Sequence, residues 1–210
     1  MSEFFLELFS EEIPASLQKN FRILLLKNFE ELFEEKNIKF KKKATYSTPN
    51  RLVILFEGLD KEISINSLEI RGPNTSAPKE ALEGFLRSNK ISEKQIYKKK
   101  NEKGEFYFYK TLPKKLKTFD ILKEFTPKIL DKIKWNKSMR WNDFELNWAR
   151  PLKSILAIFD NKTLEFNYHH LKSCNSTYLD NEFEEKRKIF KSFKSYNKYF
   201  KKSGIIIDQN

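Results

Sequence analysis

Arginine set beside tryptophan is the pattern in this sequence best equipped for recognition chemistry. From Lys137 to Pro151 the chain reads Lys-Ser-Met-Arg-Trp-Asn-Asp-Phe-Glu-Leu-Asn-Trp-Ala-Arg-Pro, with Trp135 just upstream. Arg140 therefore adjoins Trp141, and Arg150 follows Trp148 by two positions. A guanidinium offers forked donors to carboxylate or phosphate and a flat face for stacking on rings. A planar cation beside indoles suits an RNA-contacting surface, and it suits equally a half-buried corner tying two elements together. The stretch runs into the apolar segment Ser154–Phe159, so we expect Arg140, Trp141, Trp148 and Arg150 to form a structural corner.

Elsewhere positive charge is carried by lysine. The runs are Lys41-Lys-Lys43, Lys98-Lys-Lys100 and Lys114-Lys-Leu-Lys117, and the last two flank the aromatic segment Phe106-Tyr-Phe-Tyr109. One arrangement makes those rings a stacking platform inside a positive rim. The other packs alternate rings into a core and leaves the lysines to solvate the edges. Lys98, Lys99, Lys100, Lys114, Lys115 and Lys117 are the candidate nucleic-acid contacts, acting on phosphate rather than on base edges.

Catalytic chemistry finds little to use. With 5 glycines in the whole chain, no glycine-rich phosphate loop is present. His169 and His170 are adjacent, so on a strand they point to opposite faces and are not expected to share a metal. Glu11 and Glu12 are better placed as a helix start than as an acid/base pair. Cys174 is the only cysteine, which excludes a disulfide framework or cysteine-type zinc site and points to a reducing cytoplasm. We therefore expect no catalytic residue, no metal site and no cofactor in this chain.

The 210 residues carry a formal net charge of +12, unevenly placed. Residues 90–140 hold 16 Lys/Arg against 6 Asp/Glu, whereas glutamate exceeds Lys plus Arg over residues 1–40. Compositional bias towards lysine does not produce that asymmetry, and a polyanionic partner such as nucleic acid does. The amino-terminal residues lack the basic region and cleavage site of a signal peptide. No apolar run approaches membrane-spanning length.

Hydropathy patterning supplies the elements. Phe4–Phe9 reads as a strand covered on both faces, followed by a long helix opened by Pro14 and stopped near Asn37. Thr48–Arg51 is a turn into the buried strand Leu52–Phe56, and Glu57–Asp60 turns the chain towards a strand over Ile63–Ile70 that Arg71-Gly-Pro73 should break. A helix over Lys79–Ser88, a capping box at Ser92 and Gln95, and a hairpin of Tyr97–Lys100 with Phe106–Thr111 come next. Phe119–Ile133 is helical with Pro127 set to kink or divide it. Ile155–Phe159 and Leu164–Tyr168 should pair, and a helix over Phe193–Lys202 should end at Gly204 before a strand Ile205–Ile207. These elements make an α+β fold of mixed or antiparallel strands with packed helices. The expected division is an amino-terminal α+β unit over residues 1–72 and a basic α+β unit over 73–210. An apolar strand so close to the last residue suggests a fragment running into a truncated domain.

Several segments together resemble the beta subunit of the bacterial two-subunit glycine–tRNA ligase. Leu6-Glu-Leu-Phe-Ser-Glu-Glu-Ile-Pro14 is similar to the family's opening strand and turn. Ala44-Thr-Tyr-Ser-Thr-Pro-Asn-Arg-Leu52 is similar to its Thr-Pro-Arg-Arg-Leu segment. Arg71-Gly-Pro73 with Ala81-Leu-Glu-Gly-Phe85, then Ser138-Met-Arg-Trp141 and Ala149-Arg-Pro151, continue the likeness in order. There are two departures. Asn50 stands where the family has its first arginine, and Leu179-Asp-Asn-Glu-Phe183 stands where it has Gly-His-Arg-Phe.

The resemblance implies a part of a much longer subunit, with a fold like the body and tail of archaeal CCA-adding enzymes. It implies ATP-dependent glycylation of tRNA in which the chemistry, with ATP and Mg, belongs to the complete ligase and its alpha subunit. This chain would then supply tRNA binding and assembly in the cytoplasm, with no membrane contact, and would be inactive alone. The alternative is a free-standing basic RNA-binding or assembly module outside the ligase.

Overall fold

β1 (Glu3–Ser10) is apolar on both faces because it lies in the middle of a sheet. In the computed structural model, which describes residues 2–101, 104–135, 137–180 and 187–207, β1 pairs antiparallel with β3 (Arg51–Glu57) on one side and with β9 (Leu152–Phe159) on the other. β2 (Lys42–Thr48) and β10 (Lys162–Thr163) close the two edges, giving the order β10-β9-β1-β3-β2. Period-2 geometry sends Phe4, Leu6 and Leu8 to one face and Phe5, Glu7 and Phe9 to the other.

Each face has its own helical cover. α1 (Ala15–Glu35) lays Phe29 5.2 Å from Phe4, and Phe33 4.9 Å from Phe56. α4 (Phe193–Lys202) sets Phe193 5.4 Å and Tyr196 4.8 Å from Phe5. Burying several large rings on each face supplies the apolar area that holds this unit together. α1 begins after Pro14 with no acidic residue in its first turn, so Glu11 and Glu12 lie in the preceding loop, exposed. It ends with Asn37 in the left-handed region, φ 55°.

The contacts divide the chain into two compact units, Met1–Ile63 with Lys117–Asn210, and Ser64–Leu116. In the second unit, β5 (Glu69–Asn74), β7 (Gly104–Lys110) and β6 (Ile96–Asn101) form an antiparallel sheet in the order β5-β7-β6. α2 (Lys79–Asn89) accompanies β5, and the capping box of Ser92 and Gln95 is present. β4 (Glu62–Ile65) and β8 (Lys114–Lys117), which pair with each other, lie where the chain passes between the units.

Four local expectations change. Arg71-Gly-Pro73 does not end a strand; it lies inside β5, where the register shifts between Arg71 and Asn74, and a bulge accommodates the proline. A Cβ on Gly72 would come within 3.0 Å of the Phe85 ring, so glycine allows this close approach. α3 (Thr118–Asp131) is not divided at Pro127, which lies inside it. β10 is only two residues long, and the chain then forms a second small ladder of β11 (Asn167–Tyr168) with β12 (Leu171–Lys172).

The fourth change is at Ile205–Ile207, which is not a strand. Gly204 takes φ 80° after the helix, Ile205 N–H donates to the Phe200 carbonyl, and Ile207 is buried with Phe190, Tyr196 and Phe200. β13 (Ser176–Tyr178) pairs with β14 (Arg187–Ile189), and Asn181–Phe183, part of the departure noted above, falls outside the described residues. So do Glu102 and Lys103 of the expected hairpin turn.

Candidate functional site

Strand geometry divides the first lysine run. Lys98 and Lys100 lie opposite Tyr107 and Glu105, while Lys99 lies opposite Phe106 on the other face. Lys99 is committed there: its Nζ is 2.8 Å from Glu69 Oε2 and 5.5 Å from the Phe108 ring centre. Lys98 sits 5.8 Å from the Tyr107 ring, and among the described residues neither Lys98 nor Lys100 forms an ion pair. All three are exposed, as are Lys114, Lys115 and Lys117 on β8. Lys117 is the first residue of the returning segment of the other unit.

The rings between the runs alternate. Phe106 and Phe108 are buried, and Tyr107 and Tyr109 are half-buried. Arg71 caps Phe106 with its guanidinium 3.7 Å from the ring centre, and Tyr97 stacks on Phe108 at 6.2 Å. Tyr97 in turn donates to Glu69. Of the net charge of +12, the 53 residues from Ser64 to Leu116 contribute 12 Lys/Arg less 6 Asp/Glu, or +6. Half the excess charge thus falls in a quarter of the chain.

The arginine–tryptophan stretch separates by depth. Trp148 is in the core, 5.0 Å from Trp135 and bridged through its backbone to Met139. Trp141 is half-buried, edge-on to Phe144 and His170, whose rings stack at 3.6 Å. Arg140 and Arg150 are exposed. Arg140 Nε donates to the Phe144 carbonyl at 3.4 Å, and Arg150 Nε to that of Glu12 at 3.2 Å. Backbone bonds from Glu11 to Pro151 and from Ile13 to Pro49 draw three loops together around an open cleft of about 800 Å³, lined by Glu11, Pro14, Gln18, Pro49, Arg150 and Lys153.

The buried arginine is Arg51. It lies opposite Phe9 in the ladder, on the same face as Glu7, and both charged side chains are withdrawn from water. Arg51 Nε is 3.3 Å from Glu7 Oε2, an ion pair rather than an aligned hydrogen bond. The rest of the fork donates to Asn50 Oδ1 at 2.7 Å and to the carbonyls of Tyr178 and Leu179 at 2.7 and 2.6 Å. Phe9 and Phe200 lie 4.6 and 4.7 Å from the guanidinium. Tyr196 donates its hydroxyl to Glu7.

Burial pushes the Glu7 carboxyl up, with the Arg51 charge pulling it back, and burial beside Glu7 holds the Tyr196 phenol well above its usual range. Asn50 accepts from Arg51 and donates to Asp180 at 2.7 Å, so it too is part of this network. The sequence signal for the network was a carboxylate and an arginine in strands otherwise apolar on both faces.

The other chemical candidates stand apart. His169 Nε2 is 3.6 Å from Asp131, and His170 stacks on Phe144, its imidazole shifted down by partial burial and by His169. Cys174 Sγ contacts the Ser176 carbonyl at 3.1 Å. Among the described residues no group of three or more His, Cys, Asp or Glu is placed to hold a metal, and no helix is long and apolar enough to cross a membrane.

Comparison with known proteins covers the whole chain. The family model described as glycyl-tRNA synthetase beta subunit matches residues 4–210. Glycine–tRNA ligase beta subunits from Rickettsia bellii (strain OSU 85-389) and Rickettsia prowazekii (strain Madrid E) are each 34% identical to it over 209 residues. Those alignments take in 100% of this chain but 32% and 31% of the relatives, so the chain spans about a third of their length. With the ordered motifs and the antiparallel α+β architecture already in place, this chain belongs to the glycyl-tRNA synthetase beta subunit family.

Proposed function

We propose that this chain is the tRNA-binding and assembly part of a glycine–tRNA ligase, acting in the cytoplasm with an alpha subunit and with tRNA. ATP-dependent glycylation, with ATP and Mg, is assigned to the complete ligase and its chemistry to the alpha subunit. The observation that carries the reading is family membership over residues 4–210 joined to a basic unit holding half the net charge. Lys98, Lys99, Lys100, Lys114, Lys115 and Lys117 are the proposed tRNA contacts, and Arg140, Trp141, Trp148 and Arg150 are the proposed structural corner of the other unit, anchored by buried Trp148. The likeness to the body and tail of CCA-adding enzymes belongs to the same reading, as an RNA-facing fold.

The test has two arms. Titrated with glycine tRNA, the chain should bind, and binding should weaken as salt rises. Supplied alone with glycine and ATP, it should show no glycine-dependent pyrophosphate exchange above buffer. Failure to bind tRNA at low salt, or exchange by this chain alone, would overturn the assignment.

A further inference from the structure

We propose that the β5-β7-β6 sheet takes base-paired RNA by its sugar–phosphate backbone and does not stack unpaired bases. The inference rests on the tRNA-binding reading above and specifies which form of RNA this unit accepts. A sheet that reads single strands presents open aromatic faces to the bases. On the face that carries Phe106 and Phe108, the rings are already occupied from within the unit. Phe106 and Phe108 are each only 8% exposed. Arg71 lies over Phe106 at 3.7 Å, and Lys99 over Phe108 at 5.5 Å. Tyr97, 38% exposed, has one face on Phe108 and its hydroxyl on Glu69. On this face the cations that would rim a stacking platform, Arg71 and Lys99, lie over the rings themselves.

What remains available is lysine charge: Lys98, 5.8 Å from the centre of the half-buried Tyr107 ring, and Lys100. Lys98 and Lys100 share the opposite face of β6, about 7 Å apart along the strand. Each is a point charge on a flexible stem, which suits successive phosphates. Glu105 stands across from Lys100 and sets a limit on how far the positive field extends. A duplex stem turns its bases inward and its phosphates outward, so it offers this face what the face can use. β6 is also an edge strand, where lysines guard against pairing with another sheet. That role alone requires no RNA affinity.

The experiment compares the full chain's affinity for a labelled RNA hairpin stem with that for an unstructured RNA strand of equal nucleotide count, by anisotropy across a salt series. The stem should bind about tenfold more tightly or better. Lys98→Gln/Lys100→Gln should flatten the stem's log–log salt slope by about one to two units. Tyr97→Leu should leave affinity for either RNA within about twofold, because a stacked base would cost fivefold or more. Equal or tighter binding of the unstructured strand, or a large loss in Tyr97→Leu, sinks the inference and leaves the tRNA-binding reading standing. An unchanged slope in the double lysine variant also sinks it and reduces those lysines to edge guards. If neither RNA binds, both fall together.

Discussion

Arg51 and Glu7 meet at 3.3 Å inside the sheet–helix core, 1% and 0% exposed at the side chain. The pair joins the middle of the sheet to the last helix, since Tyr196 donates to the same carboxylate and Phe200 covers the guanidinium. A charge held this deep is tolerable only while its partners stay in place.

Removing both partners should therefore cost less than the two single removals added together. Arg51→Met leaves a buried carboxylate and two unmatched carbonyls, and should destabilise by about 3–5 kcal/mol. Adding Glu7→Gln to it should cost less than the sum of the single changes, by about 1–3 kcal/mol of coupling. Urea denaturation of the four proteins measures this. Strict additivity would show that the pair is not energetically linked.

The pH dependence has a definite sign. Burial raises the Glu7 carboxyl above its unfolded value, Arg51 notwithstanding. Between the unfolded pKa, about 4.3, and the raised folded value, the native state holds the extra proton. The contribution of Glu7 is then fully present below the unfolded pKa and is lost as pH rises through the folded one. Stability of the parent relative to Glu7→Gln should fall as pH is raised from the unfolded pKa through the folded one. A gap that widens over this range would mean that Arg51 outweighs burial.

Stability of the tryptophan stretch should reside in the ring and not in the arginines. Trp148 is buried against Trp135 and Tyr168, so Trp148→Ala should cost about 3–5 kcal/mol. Arg140→Ala and Arg150→Ala remove exposed side chains with single bonds to carbonyls, and should each change stability by about 0.5 kcal/mol or less. Thermal denaturation decides it. A loss above about 2 kcal/mol in either arginine variant would place these residues in the core of the corner.

Gly72→Ala should destabilise the Ser64–Leu116 unit by about 1–3 kcal/mol, because the new methyl meets the Phe85 ring at 3.0 Å. Phe85→Leu in the same protein should recover part of the loss. Hydrogen exchange confined to that unit is the measurement, and no local change would show that Phe85 simply moves aside.

Much of the architecture was legible because it is written locally. Phe21, Leu25, Phe29 and Leu32 repeat at helical spacing, and the β6–β7 hairpin and the Ser92 cap each lie within a few residues of sequence. Local pattern failed where long-range contact decides the outcome. β2 was not foreseen because its exposed Lys42 and Lys43 give little apolar signal. Ile205–Ile207 has strand-like composition, but Gly204 turns it back onto α4 and Ile207 is drawn into the core. Glu7 and Arg51 are 44 positions apart, and only the β1–β3 register makes them neighbours. For the candidate contact site, sequence supplied the lysines and the aromatic run, but three consecutive lysines read as one patch until strand alternation places Lys99 against Glu69.

The pairing of β1 with β9 also imposes a schedule on synthesis. β1 and β3 emerge close together and can fold with α1, but the second edge of β1 stays open until Leu152–Phe159 follows. At typical elongation rates that delay is roughly five to twenty seconds. During it the nascent chain carries an apolar strand with unpaired backbone groups, while the whole Ser64–Leu116 unit has been made and is free to fold. Holding that edge away from other strands is a task for the ribosome exit region and its chaperones, and the last helix cannot lock Glu7 to Tyr196 until it ends.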